Sequence, residues 1–215
     1  MSLTLIVGNK NYSSWSLRPW LAMKQAGLAF DEVRVLLNRP DTRAQILRYT
    51  PSGRVPCLVD GALAVWDSMA ICAYVNEQYA DGSLWPRDVA QRARARSVAA
   101  EMHSGFAALR THLSMDIRSR NPERGAIARA RPDVSADVAR IESIWTDCLA
   151  ASGGPFLFGG FSIADAFFAP VVTRFRTYAI ALPAGLAAYS DAVLALPPMQ
   201  EWVAAARAEP ETLDD

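Results

Sequence analysis

The first eighty residues alternate between short strand patterns and short helix patterns, and this order restricts the fold more than any other feature. Residues 3–7, LTLIV, form an apolar, β-prone run typical of a strand buried on both faces. A helix pattern follows, with Pro19 tolerated in its first turn and Gly27 as its stop. Residues 31–37 have the composition of a second strand. This spacing predicts a right-handed βαβ unit with parallel strands.

A polar loop and a short helix around residues 43–49 separate this unit from a hairpin pattern. Residues 55–66 contain two β-prone runs joined at Asp60-Gly61, a dipeptide that supplies the positive φ angles of a tight turn. Residues 67–79 then place apolar side chains at helical spacing. The order β-α-β-α-β-β-α predicts a mixed four-stranded sheet in the thioredoxin-like arrangement.

Beyond the hairpin and its helix, the pattern is helical only. We predict a long helix over residues 89–118, a proline-marked break at 121–132, and helices over 133–150, 162–178 and 198–208. Ser162 and Asp165 form an S-x-x-D capping box, in which the Asp165 side chain returns to the Ser162 N–H. The expected organisation is an α/β domain over residues 1–80, a linker over 81–88, and an all-α domain over 89–215.

The charge and cysteine content exclude several classes of protein. With 22 basic and 22 acidic side chains, the chain has no general positive field for nucleic acid or an anionic membrane. Cys57, Cys72 and Cys148 are widely spaced and odd in number, so neither a disulfide framework nor a zinc site is predicted. Cys57 is expected in the core. The amino terminus has no signal-peptide pattern, and we expect a cytoplasmic protein.

Two segments at the hairpin could bind a ligand. A cis bond before Pro56 would leave the backbone N–H and C=O of Val55 free for an extended peptide, whereas a trans proline on an edge strand is the alternative. Asp67 and Ser68 begin a helix, where free N–H groups favour a carboxylate and Asp67 could pair with an ammonium group. Either residue could also act only as the helix cap.

Serines dominate the segment between the first strand and the first helix. Ser16 is expected to cap the helix, which leaves Ser13 and Ser14 for chemistry. A covalent serine nucleophile is not expected, because the only histidines, His103 and His112, are nine residues apart on one predicted helix and face opposite sides. A hydroxyl can instead donate a hydrogen bond to a thiolate, worth about 1.5–3 kcal/mol. Such a bond would make a bound thiol substantially ionised at neutral pH.

Together these segments resemble the cytosolic glutathione transferase superfamily over nearly the whole chain. The similarity rests on TPSGRVPCLVD, VWDSMAICAYV and SIADAFFAPV, in this order and spacing. The opening SSWSLRPWLAM looks most like the S-S-C-S/A-x-R-V-R opening of the zeta class, which is of the serine type. Trp15 stands where zeta enzymes have cysteine. The arginine that zeta isomerases use for an acidic second substrate has no counterpart in register, although Arg174 and Arg176 lie nearby.

The resemblance implies how glutathione would bind. Pro56 would be cis, and the backbone of Val55 would pair with the cysteinyl part of glutathione. Asp67 and Ser68 would hold the γ-glutamyl end, and Arg54 is a candidate for the glycyl end. For the thiolate, the first candidate is Ser13, the second Ser14 and the third Tyr12.

The resemblance also implies an activity. We expect a glutathione transferase that uses glutathione as co-substrate, without a metal or another organic cofactor, as a cytoplasmic homodimer in detoxification. A small hydrophobic electrophile would enter a cleft formed by Trp15, Met102, His103 and Phe106. Isomerisation of the maleylacetoacetate type, peroxide reduction, and a non-catalytic module for protein contacts are the alternatives.

Overall fold

The computed structural model describes residues 3–213. Its sheet contains β1 (Leu3–Val7), β2 (Phe30–Arg34), β3 (Cys57–Asp60) and β4 (Leu63–Val65). The strands lie in the order β2-β1-β3-β4. β2 is parallel to β1, whereas β3 is antiparallel to both β1 and β4. This mixed sheet confirms the predicted thioredoxin-like arrangement.

Helices cover both faces of the sheet, so β1 is buried on both sides as predicted. Those of the amino-terminal part are α1 (Ser14–Gln25), α2 (Thr42–Ile46) and α3 (Ser68–Gln78). Leu5 and Val7 face the main core together with α1 and α3, whereas Ile6 faces a smaller cluster on the α2 side. Cys57 belongs to that smaller cluster and is fully buried, which confirms its predicted place in the core.

The predicted capping role of Ser16 is wrong. α1 begins at Ser14, with Ser13 at the N-cap position, so Ser16 lies inside the first turn. Its buried hydroxyl accepts a hydrogen bond from the Gly8 N–H at 3.1 Å and shares one with the Ser13 hydroxyl at 2.7 Å. Each of the three nearby serines could cap a helix start. The Gly8 N–H after β1 needs an acceptor, and the Ser16 hydroxyl turns inward to supply it.

The remainder of the described chain is helical, which confirms the predicted all-α second half. Its helices are α4 (Val89–Ser104), α5 (Ala107–His112), α6 (Pro122–Arg129), α7 (Pro132–Ser152), α8 (Ile163–Thr177), α9 (Ala184–Ala195) and α10 (Pro197–Ala208). α8 is buried on nearly every side and packs against α1 and α4. No helix within residues 3–213 is both long and apolar enough to cross a membrane.

Three helix predictions need correction. The expected helix over residues 89–118 breaks after α4, because Phe106 takes a left-handed conformation (φ 60°), so His103 and His112 lie on two helices. The expected break at 121–132 contains α6, whose N-cap Asn121 accepts a hydrogen bond from the Arg124 N–H at 3.0 Å. α9 was missed, because its apolar residues surround the helix and leave no clear period.

The predicted capping box at the start of α8 is confirmed. Asp165 accepts the Ser162 N–H at 2.8 Å, and its second carboxylate oxygen accepts the Leu157 N–H at 3.0 Å. The side chain is fully buried, and this burial raises the pKa of Asp165 to about 6. One carboxylate therefore ties the preceding loop to the central helix.

Replacing Asp165 with Ala is expected to lower the free energy of unfolding by on the order of 3 kcal/mol, because two buried N–H groups lose their acceptor. The matched control is Asp88→Ala, which removes the exposed cap of α4 and its bond to the Gln91 N–H at 2.8 Å. That change should cost only about 1 kcal/mol. Urea titrations of both variants measure the difference, and equal losses would contradict this role of the buried carboxylate.

Candidate functional site

Three loops meet at one end of the sheet. The antiparallel register of β1 with β3, continued by one residue, places Val7 beside Pro56. The antiparallel register of β3 with β4, continued by two residues, places Pro56 beside Asp67. The first loop leaves β1 and carries the serines, the second enters β3, and the third joins β4 to α3. The sheet thus brings together the three segments that the sequence indicated.

The loop before β3 offers an unpaired backbone. The Val55–Pro56 peptide bond is cis, as the resemblance implies. Among the described residues, neither the N–H nor the C=O of Val55 has a hydrogen-bond partner. Arg54 is exposed on the same loop, and its backbone N–H is bonded to the Ser52 hydroxyl at 3.2 Å. An extended ligand backbone can therefore pair with Val55.

Asp67 caps α3 and remains accessible. Its carboxylate accepts the Met69 N–H at 3.0 Å, and 54% of the side chain is exposed. His103 of α4 places its Nε2 atom 3.1 Å from the other carboxylate oxygen. Burial lowers the pKa of His103, although the Asp67 charge opposes this shift. The imidazole is therefore neutral at neutral pH, and the negative charge of Asp67 remains available to a cation.

The neighbouring Ser68 is placed differently. It is fully buried, and its hydroxyl has no hydrogen-bond partner in the described part of the chain. Asp67, and not Ser68, is therefore the member of this pair that reaches the accessible surface.

Both residues of the Ser13–Ser14 pair are nearly buried, at 5% and 6% exposed. The Ser13 hydroxyl bonds to that of Ser16, whereas Ser14 borders an open cleft. Tyr12 also lines this cleft, and its hydroxyl accepts a hydrogen bond from Arg118 at 3.0 Å. The structure thus brings Ser14 and Tyr12 to the cleft, whereas Ser13, which lies between them in sequence, is not one of the residues that line it.

The cleft has a volume of about 950 Å³ and lies between the serine loop and the helical half. Of the predicted electrophile-binding residues, Trp15 lines it. Met102 and Phe106 are buried in the core, and His103 turns towards Asp67. These three residues lie outside the cleft because the chain turns at Phe106, after α4. The wall of the cleft is therefore formed by α5 and the segment that follows it.

Arginines dominate that wall. Within residues 3–213, its charged lining residues are Arg110, Arg118, Arg124 and Arg174 and one acidic residue, Asp116. The Asp116 carboxylate is already engaged by the Asn11 amide at 2.8 Å and the Ser119 hydroxyl at 2.5 Å.

Two of these arginines have unused hydrogen-bond donors. Arg174 is only 3% exposed, and within residues 3–213 neither its Nε nor its Nη1 atom has a partner. The Nη1 atom of Arg110 also has none among these residues. Burial, reinforced by the charge of Arg110, lowers the pKa of Arg174 to about 9. The described residues that line the cleft therefore carry an excess of positive charge, although the whole chain is neutral.

A further arginine lies behind Trp15. Arg18 is fully buried, and none of its three guanidinium nitrogens has a partner among the described residues. Its Cζ atom lies 4.2 Å from the centre of the Trp15 ring and 4.8 Å from that of Phe167. Burial, followed by the charges of Arg110 and Arg174, lowers the pKa of Arg18 well below its usual value.

Of this arginine group, sequence reasoning named only Arg174. The members come from α1, α5, α6, α8 and the loop after α5, so no local spacing relates them. A signal for Arg174 was its place in a largely apolar helix, where an arginine requires a specific reason.

Comparisons with known proteins agree with this fold and these loops. The family described as glutathione S-transferase, N-terminal domain, matches residues 12–78, and the corresponding C-terminal domain family matches residues 90–205. The chain belongs to the glutathione S-transferase family.

Several curated relatives match shorter stretches. The zeta-class glutathione S-transferase of Euphorbia esula is 37% identical over 82 residues, which cover 38% of this chain and 36% of that protein. A dichloromethane dehalogenase of Methylorubrum extorquens is 40% identical over 65 residues, covering 29% and 23%. A probable maleylacetoacetate isomerase of Caenorhabditis elegans is 29% identical over 93 residues, covering 43% and 42%. The chain thus spans less than half the length of each of these relatives.

Solved structures match over almost the full chain. A glutathione transferase homolog from Burkholderia, with bound glutathione, has a TM-score of 0.72 at 23% identity and covers 97% of this chain and 99% of its own. A theta-class glutathione S-transferase from Xanthomonas axonopodis pv. citri, also with glutathione bound, has a TM-score of 0.65 at 26% identity and covers 94% and 97%. These matches confirm the fold.

Replacing Arg18 with Met is expected to leave the protein at least as stable as the wild type. The change removes a buried charge without a partner, whose desolvation costs several kcal/mol, on the order of 3. Methionine keeps the packing against the two aromatic rings. Urea titration measures the free energy of unfolding.

The control for this variant is Arg140→Met, which removes an exposed ion pair with Glu101 at 2.7 Å. It should change the free energy of unfolding by less than about 1 kcal/mol. A loss above about 2 kcal/mol in Arg18→Met alone would contradict an unpaired guanidinium.

Proposed function

We propose that the protein is a glutathione transferase that binds glutathione at the end of the sheet and ionises its thiol at the start of α1. One observation carries this proposal: an unpaired backbone, an accessible carboxylate and serine hydroxyls converge at that end of the sheet in a chain of this family. The thiolate then attacks a substrate held in the adjacent cleft.

The chemical groups of glutathione suit this arrangement. The ammonium of the γ-glutamyl residue pairs with Asp67, whose charge the neutral His103 does not cancel. The start of α3, where Ser68 lies, favours the γ-glutamyl carboxylate. The cysteinyl N–H and C=O pair with the backbone of Val55. Arg54, which is exposed on the loop before β3, is the proposed partner of the glycyl carboxylate.

Ser13 and Ser14 are the proposed thiolate donors, in that order. The Ser16 hydroxyl accepts the Gly8 N–H, so it can donate its own hydrogen to Ser13. Ser13 is then free to donate to a thiolate, and a chain of hydrogen bonds strengthens each member. Ser14 is the alternative because it lines the cleft directly.

Calorimetric titration with glutathione tests the binding site. We expect Asp67→Asn to weaken binding by about tenfold or more, because the ammonium loses its charged partner, a loss of about 1.4 kcal/mol. Ser68→Ala is the matched comparison at the same helix start, and its affinity should change by less than about twofold because the hydroxyl is buried. No binding by the wild type at millimolar glutathione would contradict the proposed function.

Steady-state kinetics with a haloarene test the serines. Removing the true thiolate donor should lower kcat by about tenfold to a hundredfold, with little effect on KM for glutathione, because the bond is made to the ionised thiol. Ser13→Ala should show this loss and Ser14→Ala a smaller one. The reverse ranking would transfer the role to Ser14, and equal wild-type rates in both variants would contradict a serine donor.

The arginine-lined cleft favours a second candidate function, a glutathione-dependent isomerase acting on an acidic substrate. The Nη1 atom of Arg110 and the Nε and Nη1 atoms of Arg174, which have no partner among the described residues, can donate to a carboxylate next to the thiol. The names of the zeta-class and isomerase relatives are consistent with this chemistry. An isomerase returns glutathione unchanged, so turnover at catalytic amounts of glutathione distinguishes it from conjugation.

Two electrophiles that differ only in one carboxylate test the charge of the cleft. We expect the acidic one to have a kcat/KM at least about tenfold higher, corresponding to about 1.4 kcal/mol, and Arg174→Met to abolish this preference. The control is Arg176→Met, which removes a nearby exposed arginine that does not line the cleft. A preference for the uncharged electrophile would contradict an acidic substrate.

Family membership supports further proposals on assembly and domain organisation. We propose a cytoplasmic homodimer that acts in detoxification, with the sheet domain and the helical domain joined by the linker over residues 81–88. Peroxide reduction at the same site would appear as activity towards peroxides instead of haloarenes. A non-catalytic module would bind glutathione weakly or not at all.

A further inference from the structure

The loop that leads to the serines depends on a distant acceptor. Asn9, Lys10 and Asn11 belong to no strand or helix, and two successive N–H groups in this loop point towards Glu209. The Lys10 N–H donates to one carboxylate oxygen at 2.7 Å, and the Asn11 N–H donates to the other at 3.0 Å. A single side chain near the carboxyl terminus thus satisfies two successive backbone donors of the loop.

Glu209 is itself held firmly. It is only 6% exposed, and Arg34 at the end of β2 lies 3.1 Å from its carboxylate. The same guanidinium pairs with Glu211 at 3.0 Å. Because a buried carboxylate is costly without partners, this ion pair and the two N–H donors explain why Glu209 can occupy the position. The carboxylate therefore forms a rigid support beneath the loop.

The residues after α10 continue from this support to the cleft. We call Glu209–Leu213 the terminal strap. Arg118 donates to the carbonyl of Glu209, to that of Glu211 at 2.6 Å, and to the Tyr12 hydroxyl at 3.0 Å. Thr212 and Leu213 line the cleft. The strap thus contacts the serine loop on one side and borders the substrate space on the other.

We propose that Glu209 is a positioning residue, whose carboxylate fixes the path of the serine loop and thereby the distance between the serine hydroxyl and the bound thiol. This inference rests on the proposed function. Other groups also hold the loop: the Asn9 side-chain oxygen accepts the Leu37 N–H at 2.8 Å, and the Trp202 indole donates to the Lys10 carbonyl at 2.9 Å. Within the loop, the Tyr12 and Ser13 N–H groups both donate to the Asn9 carbonyl. Glu209 is the side chain that accepts from two consecutive backbone N–H groups of the loop.

The chain offers a matched control. Glu209→Gln and Glu211→Gln each remove one negative charge from the strap and one ionic bond to Arg34. Only Glu209 contacts the loop N–H groups, because the Glu211 side chain bonds only to Arg34 among the described residues. Differences between the two variants therefore report the loop contact and not the charge.

The first measurement is the apparent pKa of the thiol of bound glutathione, followed through the ultraviolet absorbance of the thiolate as pH changes. We expect Glu209→Gln to raise this pKa and to lower kcat about fivefold to twentyfold, corresponding to a serine hydrogen bond of ordinary strength that is weakened but not abolished. The dissociation constant of glutathione should change by less than about twofold, because Asp67 and Val55 are untouched. Glu211→Gln should match the wild type in all three quantities.

Amide hydrogen exchange of the variants provides the second measurement. Exchange at Lys10 and Asn11 should accelerate in Glu209→Gln and remain as in the wild type in Glu211→Gln. A purely structural role would lower the melting temperature of Glu209→Gln without moving the thiol pKa. Unchanged thiol pKa and kcat in Glu209→Gln, or equal changes in both variants, would overturn the inference and leave the proposed function standing. If the thiol of glutathione bound to the wild type titrates with the same pKa as free glutathione, both the inference and the proposed function are overturned.

Discussion

The pairing of β3 with both β1 and β4 is the constraint on which the site depends. Two antiparallel registers bring one end of each of three strands to the same end of the sheet. The loops that carry Ser13, Val55 and Asp67 therefore become neighbours. None of these loops could hold that arrangement alone, because each is short and irregular. A change of one residue in either register would turn alternate side chains to the wrong face and separate the loops.

The second organising feature is a positive charge that residues 3–213 leave uncompensated. Burial lowers the pKa values of Arg18, Arg110 and Arg174, and the charge of Arg110 lowers those of Arg18 and Arg174 further. All three retain nitrogen atoms without partners among the described residues. Burying such groups opposes folding, so this arrangement differs from that of Asp165, whose carboxylate is satisfied by several donors. Unsatisfied buried charge beside an open cleft indicates a function, because an arriving anion removes the imbalance.

Local patterns in the sequence predicted the elements of the sheet domain and the capping box of α8. Strand and helix periods are properties of a few neighbouring residues, so residues 3–7, the Asp60-Gly61 turn and the Ser162–Asp165 pair could be interpreted without tertiary information. The role of Ser16 could not be predicted in this way, because its hydroxyl accepts a hydrogen bond from the Gly8 N–H across the loop. The break at Phe106 was missed because the segments on both sides have helical patterns, and Gly105, the C-cap of α4, is a weak local signal between them.

The candidate site divides in the same way. Ser14, Val55, Pro56 and Asp67 lie next to predicted strands or helices, so short motifs could single them out. Short motifs could not single out the full set of cleft arginines or Glu209, because the contacts of these residues join distant parts of the chain. The Lys10–Glu209 bond, for example, spans 199 positions. Such contacts are absent from any short window of sequence. They became visible only when the helical half was folded against the serine loop.

The most direct test of the account is the ionisation of glutathione in its complex with the wild-type protein. Thiolate absorbance should be measured between acidic and alkaline pH at saturating glutathione, with free glutathione as the reference. The account predicts an apparent thiol pKa at least about one unit below the ordinary value of about 8.5 for a thiol, so that thiolate is abundant at neutral pH. A bound thiol that titrates together with free glutathione would contradict it.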